Sequence, residues 1–380
     1  MYGKKGRHIG ILSACETKFH IELVAVTTYE NRSVINGTNK MKVGKIPETV
    51  LKRSVFKQIR HRREEVLVRP GVGKDCTALK LKEGEVIVLS TDPITGALHD
   101  IGTLAVHITA NDIASSGAEL IGIMLTIILP DGARESDLRD MMKEIESVCE
   151  SLNIEVIGGH TEVSAAVNQP IVTVTGVGKI LESEMIKPKS VKPGDDIIMT
   201  KWAGLEGTAI IAAEKESELL SKYTSGFIDG AKKFISHLSI VKEAEIAKRV
   251  GVNAMHDITE GGVYGALWEI AESSNVGVEI DLKKIPIKQE TVEICEFYDL
   301  NPYLLISSGC LLIATDQGNE LIRELEKAGI SGTIIGKVTK GHERIVMNDD
   351  EVRYLEPPKS DELYKVERGQ IDERENLSSN

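Results

Sequence analysis

The sequence predicts an α+β protein in two domains, and three observations carry that reading. At 380 residues the chain is long enough for two cores of its own. Apolar runs of strand length are interleaved with amphipathic helical stretches in two successive sets. Between the sets lies a polar, proline-containing connector, Lys187-Pro188 to Pro193-Gly194, where a domain boundary is expected. The chain divides on this basis into an extension at 1–40, a leading helix at 41–65, a first domain at 66–181, a linker at 182–195, a second domain at 196–341 and a polar tail at 342–380.

The extension lacks periodicity and reads as a poorly ordered leader or a misassigned start. Pro47, with Val50, Leu51, Ser54 and Val55 in helical register, opens the leading helix. Arg60 to Arg63 (RHRR) reads as a solvated helix end. Val86 to Leu89 read as a buried strand that Thr91-Asp92-Pro93 stops, which places Asp92 at a strand end. Ile101, Leu104, Ala105, Ile108 and Ile113 recur at helical spacing, and Gly117 closes that helix. A strand over Ile121 to Leu129 follows, then an amphipathic helix with Leu138, Met141, Met142, Ile145, Val148 and Cys149 on one face, so Cys149 belongs to the core. Ile154 to Ile157 form a strand opening into a turn, Gly158-Gly159-His160-Thr161-Glu162, and Ile171 to Val177 form another. In the second domain, strands are predicted at Asp196–Thr200, Val276–Leu282, Cys310–Thr315 and Thr333–Val338. Helices are predicted around Ile240–Val250, Val263–Ala271 and Leu321–Ala328.

Composition narrows the function. A net charge of -12 argues against a general nucleic-acid binder, and 4% aromatic residues leave few stacking platforms. Five cysteines without a C-x-x-C pair argue against a structural zinc site or a disulfide framework. No stretch is long and apolar enough to span a bilayer, so no membrane role and a cytoplasmic location are expected.

Four acidic spots flanked by glycine or by strand ends recur in the first domain: Gly71-Val72-Gly73-Lys74-Asp75, Asp92 with Thr91 before it, Asn111-Asp112, and Gly158 to Glu162. Glycine permits close backbone approach to a ligand, and separate carboxylates hold hydrated magnesium against phosphate oxygens, so a nucleotide site follows. Asn111 and Asp112 are poor residues for a helix interior, which points to selection by something other than propensity. No Walker A, G-x-G-x-x-G, G-x-S-x-G or H-E-x-x-H pattern is present. In the second domain His256-Asp257 forms a candidate general-base pair, with His256 as the base and an ordinary loop histidine as the alternative. Glu260-Gly261-Gly262 forms a candidate anion cradle at a helix N-terminus. Gly204 and Gly207 either approach a phosphate or let a helix pack closely.

At these residues the sequence resembles the AIR synthase-like superfamily of ATP-using enzymes, and within it the HypE-type hydrogenase maturation factors. The matching pieces include PGVGKDCTAL at 70–79, STDPITG at 90–96, NDIASSGA at 111–118, IGGHTEV at 157–163, KPGDDIIMTKWAGLEGTAII at 192–211 and HDITEGGVYGALWEIA at 256–271. The resemblance implies a homodimer whose first domains pair their sheets into a barrel, with ATP and Mg2+ near the dimer cleft and a hydrogenase-maturation protein as a further partner. It assigns Asp75, Asp92 and Asp112 to metal or phosphate binding, with Asn111 beside them and Glu162 as a further ligand. The implied reaction is activation of an amide or carbonyl oxygen by the γ-phosphate of ATP. The alternatives are a small-molecule kinase or cyclase of the same superfamily, like thiamine-monophosphate kinase or AIR synthase, and a nucleotide-binding assembly factor without turnover. Three departures stand out: Lys74 replaces an acidic residue, His160 replaces an aspartate, and the terminal residues Ser378-Ser379-Asn380 replace a Pro-Arg-Ile-Cys tail. Carrier chemistry on a tail thiol is therefore not expected.

Overall fold

The computed structural model describes residues 40–95, 99–186 and 191–366; the predicted leader, apart from Lys40, lies outside them. The first domain is a five-stranded sheet of β1 (Gly44–Lys45), β4 (Glu85–Ile94), β5 (Glu119–Pro130), β6 (Glu155–Ser164) and β7 (Ile171–Leu181), in the order β1-β6-β5-β7-β4. Only β5 and β6 run parallel. Strands β2 (Val66–Val68) and β3 (Ala78–Leu79) form a separate small ribbon. Two helices, α2 (Ile101–Ser115) and α3 (Glu135–Leu152), pack against each other, α2 on β4 and β7 and α3 against β6. The approach of α2 to β7 is close enough that a Cβ on Gly176 would meet Thr109 at 2.6 Å and one on Gly178 would meet Ile113 at 2.5 Å. These two glycines serve packing.

The second domain is built on a seven-stranded sheet, β14-β13-β10-β12-β8-β11-β9. Its strands are β8 (Asp196–Thr200), β9 (Ala254–Asp257), β10 (Gly277–Asp281), β11 (Leu311–Thr315), β12 (Gly332–Thr339), β13 (Arg344–Asn348) and β14 (Glu351–Tyr354). Around it lie α4 (Leu205–Glu214), α5 (Glu216–Leu219), α6 (Ser225–Lys232), α7 (Val241–Val250), α8 (Gly262–Ser274), α9 (Gln289–Phe297) and α10 (Gly318–Lys327). One apolar cluster joins α7 and α10 to β8, β9 and β11, and Ala114 of α2 enters it, so the two domains share buried surface.

Several expectations need correction. The leading helix is confined to α1 (Glu48–Val50) and a π-helical turn at Leu51–Phe56. The RHRR run is pinned mostly by carboxylates far away in sequence: Glu146 accepts from the Arg60 and His61 amides, Glu155 pairs with Arg62 and Glu119 with Arg63, while Glu65, two residues on, also pairs with Arg63. Strand β4 does not stop at Thr91 but runs through Asp92 and Pro93 to Ile94. Proline is tolerated there because β4 is an edge strand. Likewise β6 runs straight through the expected turn at Gly158–Glu162. The polar tail is structured at its start: β13 pairs with β10 and β14, and Leu363 and Val366 are buried against Ile210, Ile211 and Leu305.

Candidate active site

Because β4 is a pleated strand, neighbouring residues point to opposite faces of the sheet. Ser90 and Asp92 face α2, while Ile87, Leu89 and Thr91 face away from it. On α2, Asp112 reaches the first group: Ser90 Oγ donates to its Oδ2 at 2.5 Å and lies 3.3 Å from Asp92 Oδ2. A third carboxylate arrives from the second domain at the end of β9, where Asp257 is 5% exposed and its Oδ2 is buried with no hydrogen-bond partner. Burial, then Asp257, then Asp92 push the Asp112 carboxyl up to about 8, so it holds a proton at neutral pH. Beside the cluster, His256 Nε2 lies 3.0 Å from Glu269 Oε2, and its Nδ1 lies 3.8 Å from Asp257 Oδ1. Burial opposes the imidazolium charge, but Asp257 and Glu269 prevail and push His256 up to about 9. A general base must be neutral, whereas this shift favours the imidazolium, a counter-charge and proton donor.

A cleft of about 650 Å³ opens along β5 and β6, with Thr175 of β7 on one side of the sheet and Met142 of α3 on the other among its lining residues. Its polar end is lined by Gly71, Gly73, Lys74, Asp75, Gly158 and Gly159, and its apolar end by Leu51, Val55 and Phe56. Thr175 also lines it and meets Thr91 Oγ1 at 3.0 Å, which puts Thr91 at its margin. Gly159 has φ +145, and a Cβ there would lie 2.1 Å from the Leu125 carbonyl oxygen, so no side chain fits. Gly73, at φ +74, turns the loop that carries Lys74, whose amide donates to the Gly71 carbonyl at 3.1 Å. Among the described residues no carboxylate is recorded within ion-pair distance of the Lys74 ammonium.

The predicted ligands are divided between two places. Asp75 lines the cleft along β5 and β6, Asp92 and Asp112 meet where β4 faces α2, and Glu162 pairs with His160, a cleft residue, at 3.2 Å. Among the described residues no three His, Cys, Asp or Glu side chains are gathered closely enough to hold a metal unaided. Four expected cofactor contacts are otherwise engaged. Asn111 is fully buried and bonds the second domain, donating to the Leu238 carbonyl at 2.8 Å and accepting from the Ile240 amide at 3.0 Å. Gly204 and Gly207 are packing glycines, because a Cβ on either would meet Thr291 or Leu305 at 2.5–2.6 Å. The Gly261 amide is taken by Asp361 at 2.8 Å, so the anion cradle is filled by the chain itself. Sequence reasoning left Asp257 out of the acidic site, although it shares the signature of Asp92, a carboxylate between an apolar strand and a turn.

The site belongs to a two-domain α+β protein with a glycine-lined cleft along β5 and β6 and an acidic cluster where β4 and α2 meet the second domain. Residues 73–180 match the family model "AIR synthase related protein, N-terminal domain", and residues 192–348 match "AIR synthase related protein, C-terminal domain". The chain belongs to the AIR synthase-related family. It is 30% identical to a putative hydrogenase expression/formation protein of Methanocaldococcus jannaschii over 80% of this chain and 91% of that one. It is 27% identical to carbamoyl dehydratase HypE of Cupriavidus necator over 68% of this chain and 76% of that one. In fold it matches the crystal structure of hydrogenase maturation protein HypE in complex with ATP, with a TM-score of 0.70, 21% identity and coverage of 84% of this chain and 97% of that one. The HypE–HypF complex matches with a TM-score of 0.63, 23% identity and coverage of 73% and 92%.

Proposed function

We propose that this protein is an ATP- and magnesium-using maturation enzyme of the HypE kind, which activates an amide or carbonyl oxygen by phosphorylation. The observation that carries the proposal is the carboxylate cluster that Asp92 of β4 and Asp112 of α2 form with Asp257 of the second domain, in a protein that also carries a glycine-lined cleft along β5 and β6. Asp257 Oδ2 has no partner, and burial, then Asp257 and Asp92, raise the Asp112 carboxyl and favour its protonated form. Such a donor set fits a hydrated divalent cation, which reaches carboxylates partly through water and phosphate oxygens and needs no closed cage. When bound, magnesium would neutralise phosphate charge and bring the γ-phosphate to the substrate oxygen. Lys74 on its glycine turn is placed to meet phosphate oxygens from the other side. The apolar end of the cleft, with Leu51, Val55 and Phe56, suits a base.

The substrate oxygen attacks the γ-phosphorus, ADP leaves, and the phosphorylated oxygen then departs as inorganic phosphate. With a primary amide, the two N–H protons are lost and a carbon–nitrogen triple bond remains. Asp92 and Asp112, sharing Ser90 Oγ, form a pair able to accept and return a proton. His256 supplies positive charge beside them. The partner reading follows from the relatives: HypE forms a complex with HypF, and a maturation partner of that kind is proposed here too. A homodimer is supported by the open sheet face, where Ile87 and Leu89 are 51% and 63% exposed. Calorimetric titration with ATP, with and without magnesium, followed by phosphate release with a carbamoylated acceptor, tests the reading. Absence of magnesium-dependent ATP binding would sink it.

A further inference from the structure

Helix α8 begins at Gly262; of its first amides, Gly262 donates to the Thr259 carbonyl and Tyr264 to the Tyr303 carbonyl, both at 3.1 Å. The amide of the N-cap itself, Gly261, finds its acceptor in a residue 100 positions later. Asp361 is 3% exposed; its Oδ2 accepts from the Gly261 amide at 2.8 Å, and its Oδ1 accepts from Ile306 at 3.2 Å and Leu363 at 2.9 Å. The segment around it is anchored on both sides. Tyr364 Oη donates to Glu260 Oε1 at 2.7 Å, Glu362 Oε2 accepts from the Asn301 amide at 3.0 Å, and Leu363 and Val366 sit in an apolar cluster. A Cβ on Gly261 would lie 3.4 Å from the Pro358 ring, so the segment covers that glycine closely. The segment itself, Pro358 to Val366, lies beyond residue 348, where the match to the family's C-terminal domain ends.

The stretch that the segment grips, Ile258 to Gly261, begins at the residue after Asp257. At its other end Ile258 donates to the Cys310 carbonyl at 3.0 Å, so the loop is held by β11 on one side and by Asp361 on the other. We propose that Asp361 is a positioning residue: by capping α8 it fixes the Ile258–Gly261 loop and so holds Asp257 against Asp112. The proposal rests on the reading of the acidic cluster as the magnesium-dependent part of the ATP site. The environment shows why a full carboxylate is used. Two more carboxylates, Glu206 and Glu260, lie at this corner, and burial raises the Asp361 carboxyl above its usual range. The three amides on it work against that and favour its charged form.

The test uses the full chain in three forms: parent, Asp361→Asn and Asp361→Ala. Asp361→Asn keeps the volume but turns one accepting oxygen into a donor facing an amide. Circular dichroism first establishes that each variant is folded; if Asp361→Ala is not, Asp361→Asn carries the comparison. Amide hydrogen exchange at 258–262 and calorimetric ATP titration, with and without magnesium, are then measured. The expectation is exchange at Gly261 faster by about tenfold, ATP affinity without magnesium unchanged, and the gain in affinity from magnesium reduced about tenfold. Added acetate should restore part of that gain in Asp361→Ala and none in the parent. Faster exchange with an undiminished magnesium gain would overturn the proposal, as would equal losses with and without magnesium. If the parent itself gains nothing from magnesium, the reading of the cluster fails. Unchanged exchange at Gly261 defeats the clasp whatever the cluster does.

Discussion

Asn111 and Asp112 are neighbours on one helix with different duties. The Asn111 amide is spent on the second domain, and the Asp112 carboxyl is spent on the acidic cluster. Replacing Asn111 with alanine strands a buried carbonyl and a buried amide, so a loss of about 2–4 kcal/mol is expected in chemical denaturation. A loss below about 0.5 kcal/mol would mean that the interdomain tie carries nothing. For Asp112→Asn and Asp92→Asn the expected defect is in ligand binding: magnesium-dependent ATP affinity should fall more than about tenfold with the fold intact. The apo protein should also show a characteristic pH dependence. Asp112 is raised from 3.8 to about 8, so the folded state binds its proton more tightly, and that stabilisation fades as pH climbs from about 4 to 8. His256 is raised from 6.5 to about 9, and its contribution fades between those values. The melting temperature should therefore drop between about pH 6.5 and 9, less steeply in Asp112→Asn. A flat profile would remove the charge assignment.

At the scale of elements, strand β6 makes the sharpest demand. Gly159 lies inside the strand at a backbone angle and a closeness to Leu125 that leave no room for a methyl group. Gly159→Ala should cost about 3 kcal/mol or more and distort the cleft wall, seen as lower thermal stability together with weaker nucleotide binding. An unperturbed variant would contradict the observed register of β5 and β6. The same strand shows what the sequence conveys and what it hides. Ile154 to Ile157 is apolar and β-branched, so the start of β6 is legible from local chemistry. Gly158 to Glu162 contains glycine, histidine and charge, so a turn is expected, yet pairing with β5 carries the strand through. Pro93 misled in the same way at β4, since only the strand order reveals it as an edge. The glycines and acids of the site were visible as residue types. Their division between two places was not, because it depends on the continuity of β4 and on Asp257 arriving from a second domain. The bonds from Asp361 to Gly261 and Ile306, and from the RHRR run to Glu146 and Glu155, span 55 to 100 residues and leave no local trace.

For the whole molecule, the uncovered face of the first sheet is the feature that most needs a partner. Ile87 and Leu89 stand exposed there, and a second copy would cover them. Light scattering is expected to give a dimer mass for the parent at micromolar concentration and a smaller mass for Leu89→Glu. A parent that stays monomeric would leave that face to some other cover. The position of β4 at the rim of its sheet also constrains what can bind. Thr91 and Asp92 are one residue apart, about 3.3 Å along the strand, yet they open onto separate compartments. Inside a sheet those compartments would be sealed from each other by neighbouring strands. At a rim, an elongated polyanion that touches Asp92 can be draped over the border toward Thr91 and Thr175, the residue of β7 that lines the cleft. A lone phosphate is too short to straddle that border. The fold therefore measures the length of its ligand, and should favour a triphosphate over a monophosphate through geometry as well as charge.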